Sequence, residues 1–387
     1  MDRLSKTSKL SLAIVSFMVG IILCEIILAF IFPQVYKRPP ELWQFDNRLG
    51  WRHSPNATGR LVSPEFDVEI RINSKGLRGP EITLEKPVGV RRILVFGDSF
   101  AEGWGVSEDE IFSSRLQECL SLRGGDTQVL NFGVAGYGND QAYLLFQEDG
   151  RQYQADDVIL LFYGNDLWNN ASRNGIGVER GRKPFYRPQR SGALELAGVP
   201  VKRTVYWDES RYAGGTLGER LYRFFRMHSH LFGLVSKMFT EDIKAGKVSS
   251  YYDGLYGLDL KQKWNPVWEL TGMILRDFSE SVKNFGARFH LVYVPSIIQV
   301  EEQDWKKKKD LYGLVGDYII EKPNVNLALI SEKYEIPFLD LLPIFRLNET
   351  QKDFYLRDSH WNNEGHSLAA RTVCGKLLEN DTEMVSK

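Results

Sequence analysis

The 387-residue sequence has almost no net charge: 49 basic and 50 acidic side chains leave a formal charge of −1. Without a positive surplus there is no bulk electrostatic case for nucleic acid, and no nucleic-acid partner is expected. Cysteine is scarce. Cys24, Cys119 and Cys374 form no CxxC pair and no Cys/His cluster, so no metal site is expected, and no cofactor. Cys24 lies in an apolar segment, which leaves Cys119 and Cys374 as the one pair open to a soluble domain. The sequence does not say whether they meet, and the expectation is that they do not. Internal repeats and low-complexity tracts are lacking, and the run Lys306–Lys309 reads as solvated surface.

A signal-peptidase site is also missing. Leu10 to Phe32 is an apolar run of the length a bilayer-spanning helix needs, longer than the usual apolar region of a signal peptide. Pro33-Gln34-Val35 offers no small-x-small cleavage site, and Ile22-Leu23-Cys24 lacks the small residue expected before a lipidated cysteine. Residues 1–35 are therefore expected to be a retained signal anchor. Arg3, Lys6 and Lys9 favour a cytoplasmic amino terminus with the rest of the chain exported; Lys37 and Arg38 weaken that direction without reversing it. Glu25 interrupts the span. Near one end of a helix such an acid can reach the interface, which is expected here in preference to a helix–helix contact.

What the chain does contain is strand–helix alternation. Residues 36–88 read as a small β-rich extension, in which Phe66 to Ile72 alternates apolar and charged and Asn73 to Gly76 supplies a turn. From residue 89 to 387, strands are expected at Ile93–Phe96, Val129–Phe132, Val158–Tyr163, Arg288–Val294 and Ile336–Leu341. Helices are expected at Ile111–Leu122, Gln141–Tyr153, Val267–Asn284, Val325–Tyr334 and Gly365–Leu378. That order implies an α/β domain with a mostly parallel sheet covered on both faces. An insertion at about 167–263 interrupts it: loop from Arg173 to Arg211, an amphipathic helix over Leu217–Phe239, and a loose aromatic stretch at Tyr251–Tyr256. An insertion of this length suits a lid, a substrate groove or extra packing.

Four polar clusters follow strands: Gly97-Asp98-Ser99-Phe100, Asn131 to Gly138, Tyr163 to Asp166, and Asp358-Ser359-His360-Trp361-Asn362. In a parallel sheet they converge on one edge. The set suits acyl transfer. A serine hydroxyl needs a base within reach, for which His360 is the candidate, and Asp358 can hold the imidazole's tautomer. Glycine amides and an asparagine NH2 can hold an oxyanion. Each piece has a plain structural reading too: Asp98 and Ser99 describe a helix cap, and Asn165-Asp166 a turn. Trp104 and Trp168 flank the clusters, where they suit stacking on substrate and core packing equally. His366 is a second candidate base but falls inside an expected helix.

In order and spacing these clusters resemble the SGNH (GDSL-type) hydrolases, over about Arg91 to Leu378 apart from the insertion. The resemblance implies a flavodoxin-like three-layer α/β/α sandwich. It implies Ser99 as nucleophile and first oxyanion donor, Gly136 and Asn165 as further donors, and Asp358 and His360 as acid and base. Asp98, Trp104 and Trp168 are the candidate substrate contacts. The sequence departs from the common D-x-x-H pattern in having one residue between Asp358 and His360, and its serine precedes that motif, the usual hydrolase order. The leading expectation is a membrane-anchored, extracytoplasmic serine esterase removing an acyl group, plausibly acetyl, from a carbohydrate or cell-envelope substrate. An O-acyltransferase acting on an exported polysaccharide and a non-catalytic glycan-binding scaffold are the alternatives.

Overall fold

The computed structural model describes residues 6–34, 40–123, 125–175, 181–204, 217–236, 251–258, 261–349 and 353–385. Lys37, Arg38, the end of the expected helix at 237–239 and parts of the expected loop at 176–180 and 205–211 lie outside these residues. The first element, α1 (Lys6–Ile31), contains a 23-residue stretch, Lys9–Ile31, long and apolar enough to cross a membrane. Two antiparallel hairpins follow, β1 (Trp43–Asp46) with β2 (Gly50–His53) and β3 (Thr58–Val62) with β4 (Asp67–Arg71).

The sheet is made of β5 (Arg91–Phe96), β6 (Thr127–Asn131), β7 (Asp157–Phe162), β10 (Arg288–Tyr293) and β11 (Phe338–Asp340), in the order β11-β10-β7-β5-β6. Every pairing is parallel. Counted along the chain this is 5-4-3-1-2, the flavodoxin-like doubly wound order, so the expected α/β/α sandwich is what forms. The numbers β8 (Phe185–Pro188) and β9 (Leu194–Ala197) belong to a separate hairpin. Along β5 the side chains alternate between two cores. Leu94 and Phe96 share one with the N-terminal extension and residues of helices α4 (Asn139–Glu148) and α7 (Lys261–Phe285). Ile93 and Val95 share the other with α3 (Phe112–Ser121) and α9 (Asn363–Val385). Burial on both faces explains why β5 and β7 are continuous apolar runs.

Between β7 and α7 the chain adds α5 (Asn165–Ala171), the β8–β9 hairpin and α6 (Leu217–His228), while α8 (Lys322–Lys333) comes later, after β10. Two sequence readings are corrected in this region. Arg173–Arg211 is not all loop, since it contains the β8–β9 hairpin. Tyr251–Tyr256 is not loose: it is helical, Leu255 and Tyr256 are buried, and Tyr256 Oη lies 3.0 Å from Ser296 Oγ. Its close fit against the β7 edge is dictated by Gly164, where a Cβ would stand 2.5 Å from Leu255 Cδ2. Glu25 is a third correction. Its carboxylate accepts from Ser229 Oγ and from the amides of His230 and Leu231, so it makes the contact with another helix that was set aside.

The cysteines supply the fourth. Cys119 on α3 and Cys374 on α9 form a disulfide, with 6.3 Å between their Cα atoms, closing 255 residues of chain. The two helices pack side by side on one face of the sheet, a proximity that no local spacing reveals. Beside the bridge, Phe112 N donates to His366 Nδ1 at 3.2 Å. Burial, then the charges of Arg78 and His360, hold the His366 imidazole down to about 3, so it is neutral at ordinary pH.

Two outcomes follow for stability. A Cys119→Ser variant unfolds in urea with a loss of about 2–5 kcal/mol, the usual cost of removing a native bridge; an unchanged midpoint contradicts the bridge. A lowered histidine pKa stabilises fully above the unfolded value of 6.5, and that stability is lost as pH falls toward about 3. Urea unfolding free energy in that window therefore falls less steeply for His366→Gln than for the native chain, and identical slopes contradict the assignment.

Candidate active site

The carboxyl edge of the sheet ends each strand in a polar turn, and these turns build the site. After β5, Gly97 takes φ of +150°, and a Cβ there would lie 2.9 Å from Leu161 O, so the chain crosses the neighbouring strand too closely for any side chain. Asp98 then caps the short helix α2 (Ser99–Glu102), accepting from Phe100 N at 2.9 Å. Both sequence readings of this turn are thus physically compatible: Asp98 is the cap, and Ser99 is left at the first helical position with its hydroxyl free to pair elsewhere.

It pairs with histidine. Ser99 Oγ lies 2.8 Å from His360 Nε2, and His360 Nδ1 lies 3.1 Å from Asp358 Oδ1. The single residue between acid and base is accommodated by Ser359 at φ of +74°, in the left-handed region, while Leu356 N donates to His360 O across the turn. Asp358 Oδ1 also accepts from His360 N at 3.1 Å, and Oδ2 accepts from Trp104 Nε1 at 3.0 Å. Burial works to raise the Asp358 carboxyl, but the bonds and charge of His360 and the Trp104 bond outweigh it, leaving the group below the ordinary carboxylate range. It is therefore ionised when the imidazole needs an anion. The His360 ring packs against Phe100 and Trp104, with centroids 5.1 and 5.8 Å away.

The loop after β6 lies against α2. Val134 N donates to Gly97 O at 3.1 Å, and Ala135 N donates to Glu102 Oε2 at 2.9 Å. Its two glycines differ. A Cβ on Gly133 would be 2.3 Å from Glu102 N, so Gly133 is required by packing. Gly136 has φ of +80° and is half-buried between buried neighbours, a left-handed conformation that favours glycine. Asn165 opens α5 after β7, and its Nδ2 donates to Asp98 Oδ2 at 2.9 Å, leaving the second N–H of that amide as the available donor. Burial raises the Asp98 and Asp166 carboxyls above their ordinary range.

The structure thus gathers Ser99, Asp358 and His360 and fixes Asn165 through Asp98. It redirects the three expected substrate contacts. Asp98 is 1% exposed and taken up by Phe100 and Asn165, Trp104 is 7% exposed and bonded to Asp358, and Trp168 packs on Tyr251 and Trp264. His366 is buried, neutral and engaged with Phe112, which leaves His360 as the histidine at the serine.

Sequence reasoning missed the support beneath these groups. His53 Nε2 lies 2.6 Å from Glu102 Oε1, both fully enclosed, so the extension grips the same carboxylate that holds the Ala135 amide. Arg78, 2% exposed, donates to the carbonyls of Glu102, Gly103 and Val106. Trp51 Nε1 donates to Ala135 O at 3.2 Å, and Tyr137 Oη donates to Trp51 O. In the sequence Arg78 sits between glycine-rich turn residues and reads as surface; no spacing marks it.

Residues 95–196 match the model of the GDSL-like lipase/acylhydrolase family, a stretch that holds Ser99, Gly136 and Asn165. No curated protein matches the chain. Among solved structures it is similar to TesA, at 11% identity and a TM-score of 0.37, covering 74% of this chain and 98% of that one. It is similar to the acetyl xylan esterase AlAXEase, at 14% identity and a TM-score of 0.37, covering 75% and 98%. An acetylxylan esterase from Geobacillus stearothermophilus aligns at 12% identity and a TM-score of 0.37, covering 73% and 91%. Over residues 95–196 the chain carries a GDSL-like lipase/acylhydrolase domain, and it is a hydrolase of ester bonds.

Proposed function

We propose that the chain is a membrane-anchored, extracytoplasmic serine esterase that cleaves an acyl ester, acetyl in the first instance, on a carbohydrate or other cell-envelope substrate. The observation that carries it is the continuous line from Ser99 Oγ through both nitrogens of the His360 ring to the Asp358 carboxylate, with links of 2.8 and 3.1 Å. In this reading Ser99 Oγ attacks the ester carbonyl as His360 Nε2 takes its proton, and Asp358 stabilises the imidazolium. The oxyanion is held by the amides of Ser99 and Gly136 and by the free N–H of Asn165, each donor contributing about 3 kcal/mol in the transition state. Collapse breaks the bond to the alcohol, which leaves with the proton from His360. A water then gives its proton to His360 as it attacks the acyl group, and Ser99 is restored.

Two features support export. The basic residues Arg3, Lys6 and Lys9 precede the apolar helix, and the Cys119–Cys374 bridge belongs to an oxidising compartment. The acyl group must therefore be presented outside the cytoplasm, which makes envelope glycans the natural class of substrate.

With the full chain in detergent and a small acetyl ester, Ser99→Ala and His360→Ala each lower kcat by about a thousandfold or more, the usual loss when one member of such a unit is removed. Full activity in either variant contradicts the assignment.

A further inference from the structure

Glu25 sits inside the apolar span, six residues before Ile31, or about 9 Å below that end of the helix at 1.5 Å per residue. Its three donors all come from one place in the insertion: Ser229 Oγ and Leu231 N, each at 3.0 Å, and His230 N. A second set of contacts lies just above. Gln34 N donates to His230 Nδ1 at 2.8 Å, and a Cβ on Gly233 would lie 3.0 Å from Gln34 Cβ. The helical segment 230–236 is thus seated along α1 between residues 25 and 34. A carboxylate within a bilayer requires donors, and here the donors travel down to it.

The helix that leads into this segment is α6. Leu217, Leu221, Phe224 and Phe225 recur at i, i+4, i+7 and i+8 and are 72%, 46%, 54% and 44% exposed. They form the apolar stripe of an amphipathic helix. Phe225 packs on Phe232 with ring centroids 5.8 Å apart, which ties α6 to the seated segment. The sequence of the helix holds three basic residues, Arg220, Arg223 and Arg226, against one acidic residue, Glu219. On α1 itself Ile22, Ile26, Ile27 and Phe30 are exposed too, so the span and α6 both present uncovered apolar surface.

We propose that α6 and residues 230–236 form an interfacial hairpin in the same bilayer leaflet that the end of α1 crosses, with Leu217, Leu221, Phe224 and Phe225 inserted into lipid. This rests on reading α1 as membrane-spanning. The occupant of the stripe is lipid because the segment reaches Glu25, and anything at that depth beside a spanning helix is within the bilayer. The consequence is a second membrane contact made by the insertion. A single anchor leaves a domain free to swing, whereas two contacts hold the hydrolase domain in one attitude over the surface and confine its reach to esters presented there.

The test uses the full chain in lipid nanodiscs with Cys24→Ser, so that single introduced cysteines carry a nitroxide. Labels at Phe224→Cys, or Leu221→Cys should the first variant fold poorly, are compared with Ile22→Cys in the span and Val88→Cys on the exposed surface. Collisions with oxygen and with a water-soluble nickel chelate are read by power saturation. The expected result is loss of nickel access with high oxygen access at residue 224 or 221, as at 22. Nickel access equal to that at 88, with 22 still lipid-buried, overturns the hairpin while leaving α1 as a span. Shielding from both reagents places the stripe against protein and also overturns it. Nickel access at 22 as well removes the membrane reading on which the hairpin rests.

Discussion

The contact between Ser99 and His360 joins residues 261 positions apart, and most of the molecule is arranged so that this distance stays at 2.8 Å. One partner hangs from the end of β5, an inner strand of the sheet, the other from the turn before the last helix. Those two elements are tied at several levels. The Cys119–Cys374 bridge and the Phe112–His366 hydrogen bond fasten α3 to α9, and Arg91 at the start of β5 pairs with Asp381 near the end of α9 at 2.7 Å. At the site, Trp104 holds Asp358 while Phe100 packs on both His360 and Trp361. At the far edge of the sheet Asp157, fully buried, gathers Arg91, Arg288 and His290, which hold its carboxyl well below the usual range against the opposing effect of burial.

A second layer of constraint comes from the N-terminal extension. Backbone carbonyls at the end of α2 point away from water and need donors. Arg78 supplies them, while burial holds its guanidinium down to about 10. Glu102 is shared between His53 of the extension and Ala135 of the loop that carries Gly136. The extension therefore sets the separation between the serine turn and the glycine loop, and its apolar residues Trp51, Leu61 and Ile70 continue the core on that face of the sheet. It is a structural part of the hydrolase domain.

How much of this could be read from the chain follows from which interactions are local. The strands β5 and β7 were legible because strands buried on both faces are unbroken apolar runs, and the polar clusters that follow them were legible because they interrupt those runs at one end. The site's long-range wiring was not. Trp104 read equally as a stacking surface and as core packing because its hydrogen bond to Asp358 spans 254 residues, and the cysteine pair spans 255. Arg78 went unread and Glu25 was misjudged for a shared reason: each is a charge satisfied largely by backbone groups of another segment, which leaves no complementary charge in the sequence to find. The helix at 251–256 was obscured by its aromatic residues, whose helical state is set by packing against Gly164 and Ser296 rather than by intrinsic preference.

The central claim is that Ser99 is a nucleophile made reactive by His360. The most direct measurement is treatment of the native full chain with a serine-directed fluorophosphonate, followed by mass mapping of the adduct. The account predicts one phosphonylated residue, Ser99, with labelling lost on prior denaturation. An adduct on a different serine, or no adduct on a chain that hydrolyses esters, contradicts it.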